Sequence, residues 1–87
     1  ASFALEQNYP NPFNPTTTIK YQIPASSRVE LKVYDLLGRE VATLVNDDRA
    51  AGRYSIPWNA SQVSSGVYFY RLRAGQYTGT KKLLLLK

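Results

Sequence analysis

The sequence contains no cysteine and no histidine. The first absence rules out disulfide staples and removes any thiol that could act as nucleophile or metal ligand. It points away from the disulfide-dense small domains that eukaryotes secrete, while leaving bacterial export open. The second absence removes the usual general base at neutral pH and the commonest metal ligand. No apolar run approaches the roughly 20 residues that a membrane-spanning helix needs. The amino end lacks the layout of a secretory leader, which an exported protein would carry farther upstream. Helical periodicity of useful length is missing too.

What is present suits a small packed domain. The 87 residues suffice for one domain, expected over 1–87, and are too few for two. The hydrophobic share of 44% is that of a chain with a core and excludes a disordered one. Seven tyrosines, three phenylalanines and one tryptophan supply the large apolar bodies that so short a chain needs. The net charge of +5 raises the question of nucleic acid or an anionic membrane. Yet Lys20, Arg28, Lys32, Arg39, Arg49, Arg53, Arg71 and Arg73 are scattered, mostly between apolar positions. They read as solvated strand faces, so neither a nucleic-acid partner nor membrane insertion is expected.

Apolar residues recur with period two. Ile19, Tyr21 and Ile23 alternate with Lys20 and Gln22; Val29, Leu31 and Val33 alternate with Arg28, Glu30, Lys32 and Tyr34. Tyr54, Ile56 and Trp58 share one face, as do Tyr68, Tyr70 and Leu72. Such alternation buries one face of a strand and wets the other. Turn residues fall between these runs. Asp35-Leu36-Leu37-Gly38 reads as a tight hairpin, Asn46-Asp47-Asp48 opens a longer polar loop, and Ala74-Gly75-Gln76 makes a second reversal. Strands are expected near 3–5, 16–23, 28–34, 39–45, 52–58, 66–74 and 77–86. The fold class is therefore all-β, a seven-stranded antiparallel immunoglobulin-like β-sandwich. Pro57 marks an edge strand or a bulge. The proline-rich stretch from Asn8 to Pro15 reads as an extended, ordered crossover loop between sheets, with Tyr9 and Phe13 anchored on the core.

Several stretches carry a family resemblance. Leu5-Glu6-Gln7-Asn8-Tyr9-Pro10-Asn11-Pro12-Phe13-Asn14-Pro15-Thr16-Thr17-Thr18-Ile19 resembles the opening of the type A C-terminal sorting domain of the type IX secretion system. Val33 to Val41 resembles that family's central hairpin. Gly52 to Asn59 and Ser65 to Leu72 resemble its later strands, and Lys81 to Lys87 resembles its basic–apolar–basic terminus. The hairpin and the Gly66-Val67-Tyr68 strand are shared with other immunoglobulin-like domains; the Pro10 to Pro15 block is the more specific sign. The resemblance implies a non-catalytic export signal at the C-terminal end of a secreted protein of Bacteroidetes-type bacteria. It implies N-terminal cargo domains, translocon components and a sortase-like peptidase as partners. The implied destination, after transit of the periplasm and the outer membrane, is the cell surface or the exterior.

The residues themselves offer little catalytic chemistry. Asp47 and Asp48 are adjacent, whereas a hydrolytic pair must flank a bond at set separations. With Asn46 they could present oxygens to calcium, but the spacing fits no calcium loop, and no cofactor is expected. The main rival to an export signal is a structural or carbohydrate-associated accessory module of a surface enzyme. For such a role the aromatics left outward by the alternation, Tyr34 and Phe69, are the candidate contact surface.

The terminus is the sharper anomaly. A strand buried on one face needs apolar residues only at alternate positions, yet Leu83, Leu84, Leu85 and Leu86 are consecutive. One pair completes the core and the other faces out, which natural edges usually avoid. Together with the resemblance, this marks Lys81, Lys82, Leu83, Leu84, Leu85, Leu86 and Lys87 as the candidate export signal. Strand addition to an exposed sheet edge is one physical route of recognition, and deletion of 81–87 is its expected loss-of-function test.

Overall fold

A computed structural model describes residues 2–87. Seven strands form two antiparallel sheets. They are β1 (Ala4–Leu5), β2 (Thr16–Ile23), β3 (Ser27–Tyr34), β4 (Glu40–Arg49), β5 (Gly52–Asn59), β6 (Gly66–Ala74) and β7 (Tyr77–Leu85). One sheet has the order β1-β2-β5 and the other β4-β3-β6-β7. Lettered A, B, C, C′, E, F and G, the strands follow the ABE and C′CFG order expected of an immunoglobulin-like sandwich.

The two inner faces meet through the apolar half of each alternating run. Ile19, Tyr21 and Ile23 of β2 oppose Val29, Leu31 and Val33 of β3, with Tyr70 and Leu72 of β6 and Leu83 and Leu85 of β7 in the same cluster, all essentially solvent-free. β5 is an edge strand, and Pro57 sits on it opposite Thr18, where a missing N–H does not break a central ladder. At the β3–β4 hairpin the Asp35 carboxylate accepts from the Leu37 and Arg39 amides (2.9 and 3.0 Å) and from Arg39 Nε at 2.8 Å. These bonds, the Arg39 amide foremost, hold its carboxyl below the ordinary range. Gly38, at φ 82°, supplies the left-handed residue that closes the turn.

Three expectations are corrected. Residues 46–48 are not a loop: β4 runs on to Arg49, with Asp47 opposite Val29 and Asp48 opposite Arg28. The two carboxylates lie on a charged outer edge, where Asp47 pairs with Arg49 (2.8 Å) and Asp48 with Arg28 (3.9 Å), so polarity does not oppose strand pairing there. Tyr9 is not a core anchor. Its backbone exchanges two hydrogen bonds with Thr18 while its side chain stands 81% exposed. Phe13 is buried as expected, tilted against Trp58 at 5.9 Å. The stretch from Pro10 to Pro15 bends around Phe13 and does not run extended, and it does not cross between sheets, because the strands it joins, β1 and β2, pair in one sheet.

Candidate functional site

At the end of β7 and the residue that follows it, burial separates the four leucines. Leu83 and Leu85 are fully buried, whereas Leu84 is half-buried and Leu86 is 52% exposed. The basic residues divide as well. Lys82 lies on the outer face with Leu84 and Leu86, while Lys81, one position earlier, falls on the opposite face. Lys87 turns away, its Nζ donating to the Ser61 carbonyl at 2.8 Å and its amide to Ser65 Oγ at 2.9 Å. The seven candidate residues therefore do not form one surface. Lys82, Leu84 and Leu86 face out together, and Leu83 and Leu85 hold the core.

β7 is an edge strand, but its outer edge is occupied over Lys82 to Leu86. Phe13 donates its amide to the Leu84 carbonyl (3.1 Å) and accepts from the Leu86 amide (3.0 Å), a parallel bridge opposite Leu85. Asn11 Oδ1 accepts from the Leu84 amide at 2.9 Å, and Gln7 Nε2 donates to the Lys82 carbonyl at 2.6 Å. Strand addition along this stretch is thus blocked, because the ladder groups a new strand would use are already paired. The occupant is the proline-rich opening motif, so the first and last blocks of the sequence form one structure.

Buried hydrogen bonds hold that occupant in place. The Asn8 carboxamide, fully enclosed, donates to Thr17 Oγ1 (3.0 Å) and the Pro10 carbonyl (3.2 Å), and accepts from Gln7 Nε2 (2.7 Å). Thr17 Oγ1 in turn donates to the Pro10 carbonyl at 2.9 Å. From the facing sheet the Tyr70 hydroxyl accepts from the Asn8 amide (2.8 Å) and donates to the Glu6 carbonyl (2.6 Å). Burial of that phenol pushes its pKa up to about 12, against a partial counter-effect of the Asn8 amide.

The outer face of the larger sheet is graded in charge. Arg28 pairs with Asp48, Arg73 with Glu30 at 4.0 Å, and Lys32 with Glu40 at 3.1 Å. The next rung holds Glu40, Tyr34, Phe69 and Lys82 side by side. Tyr34 and Phe69, the two expected outward aromatics, are neighbours here and only half-buried. The Arg71 guanidinium covers the Tyr34 ring at 4.8 Å and donates to its hydroxyl at 2.8 Å. Val67 lies opposite Leu84 on the following rung. Trp58 is buried between Phe13 and Tyr68, so no open stacking platform forms around it.

Sequence reasoning did not single out Asn8, Asn11 or the turn leucines Leu36 and Leu37. The signal for the last two was available, since two adjacent leucines at a hairpin tip are as anomalous as four in a strand. The asparagines gave no comparable sign, because a proline-rich stretch has ample reason to contain them as turn formers.

A family model for the secretion system C-terminal sorting domain matches residues 7–86, nearly the whole chain. No curated protein and no solved structure matches it.

Proposed function

The chain belongs to the family of secretion system C-terminal sorting domains, and from that premise we propose how its type IX export signal is displayed. The signal is a folded surface, made of the outward Lys82 and Leu84 of β7 and the exposed Leu86 that follows it, beside an edge sealed by the opening motif. The supporting observation is the backbone bridge from Phe13 to Leu84 and Leu86, reinforced by Asn11. That bridge ties the terminal strand to the opening motif and leaves its outer face open, which supports reading of the face in preference to edge pairing.

A sorting signal of this type implies export of the attached protein across the outer membrane. On this reading, cargo domains lie on the amino-terminal side and a translocon component receives the outer face of β7. A sortase-like peptidase then separates domain from cargo, and the cargo ends at the cell surface or outside. The residues to be recognised are held by secondary structure on both sides, so their recognition needs no unfolding of the domain.

The test is a reporter placed before residues 1–87 in a bacterium with a working type IX system. The reporter should reach the medium or the cell surface. The same fusion should remain inside when the translocon is inactivated. Equal export from both strains would refute the reading.

A further inference from the structure

We infer that the docking surface extends across the sheet from β7 to the tip of the β3–β4 hairpin, and that it receives a protein partner presenting apolar side chains among carboxylates. This rests on the sorting reading above and specifies its partner.

Of the four large apolar side chains that stand exposed among the described residues, three are Leu36, Leu37 and Leu86. Their positions converge. The hairpin leucines Leu36 and Leu37 line one groove with Val67 of β6, and Val67 is opposite Leu84. On the outer face Val67 and Leu84 sit on adjacent strands about 4.8 Å apart, one rung beyond the Phe69–Lys82 pair, and Leu86 follows in the chain. A groove of about 240 Å³ opens at the same corner, lined among others by Leu36, Leu37, Arg39, Ser65 and Val67. A contiguous apolar corner of this kind is a common mark of a binding surface.

Its charge selects the partner. Elsewhere on this face the cations Arg28, Lys32 and Arg73 have carboxylate partners, whereas among the described residues Arg71 and Lys82 have none. The uncompensated positive charge therefore borders the apolar corner, and complementary carboxylates on a partner would give orientation and speed of encounter. Two such cations are fewer than the four to eight that anionic membranes typically require, which favours a protein over a lipid surface.

Reporter secretion from the type IX host, read beside the melting temperature of each purified domain, tests this. Leu36→Ser/Leu37→Ser alters exposed turn positions remote in sequence from the terminal strand. It should leave melting unchanged and cut the secreted fraction at least tenfold. Lys82→Glu should do the same and Lys82→Arg should not, while Arg28→Ser, at the far end of the face, should secrete normally. Secretion of the double leucine variant within twofold of the parent overturns the extended surface, and normal secretion of Lys82→Glu overturns the acidic partner. Binding of the purified domain to phosphatidylglycerol vesicles, lost in the leucine variant, would reassign the corner to a membrane. If the parent fusion itself fails to leave the cell, the sorting reading falls and this surface with it.

Discussion

Replacing Asn8 with alanine should weaken the far end of the chain, more than 70 residues away in sequence. The carboxamide makes three hydrogen bonds, to Thr17, to Pro10 and from Gln7, and the residue is buried. At about 1 kcal/mol net for each, and with Gln7 able to turn to water, the loss should be about 2–3 kcal/mol. For a domain of this size that corresponds to a fall in melting temperature of about 10–20 °C. Urea unfolding followed by the fluorescence of Trp58, the only tryptophan and a buried one, reads the loss directly. Amide exchange then localises it. The Leu84 and Leu86 amides, held by Asn11 and Phe13, should exchange markedly faster, while the β3 amides change only by the global loss. A loss below about 0.5 kcal/mol, with Leu84 and Leu86 protected as before, would refute the claim that the Asn8 network seats the opening motif on β7.

Other consequences follow from the same core. The Tyr70 phenol, raised to about 12 from 10.0, favours the folded state in its neutral form. Its contribution is complete below pH 10 and is lost as pH rises through 12. Melting temperature should thus fall over that window, and Tyr70→Phe should flatten the fall; an unaltered alkaline profile in the variant would count against it. The Tyr21 hydroxyl is buried without a hydrogen-bond partner, so Tyr21→Phe should stabilise the domain by about 1 kcal/mol in urea unfolding. A destabilisation of that size would show a partner that the geometry lacks. Leu85→Ala should cost about 2–5 kcal/mol. Deletion of 81–87, which removes both Leu83 and Leu85, should abolish the cooperative melt, so it reports on folding before it reports on recognition.

The sandwich was legible because its inner faces are written in period two. Ile19, Tyr21 and Ile23, then Val29, Leu31 and Val33, announce both strand and burial through their alternation alone. Gly38 and Gly75 marked turns for the same local reason, with φ of 82° and 58°. The failures lie where tertiary pairing overrides local character. Asp47 and Asp48 look like loop residues but are held in β4 by its ladder with β3 and balanced by two arginines. Tyr9 looks like an anchor, yet the bridge to Thr18 turns its side chain outward. At the terminus, period two did divide the leucines into two sets. It could not say that residues 7–13 would cover the strand's open edge, because nothing local in either segment refers to the other.

The central claim is the division of labour along β7, and Leu84→Ser/Leu86→Ser addresses it most directly. These side chains lie on the outer face, and Leu83 and Leu85 are left intact to hold the core. The measurement is the secreted fraction of the reporter fusion, normalised to the amount of protease-resistant domain in the same cells. The predicted result is a folded domain that stays inside. Secretion at the parental level from that folded double variant would contradict it.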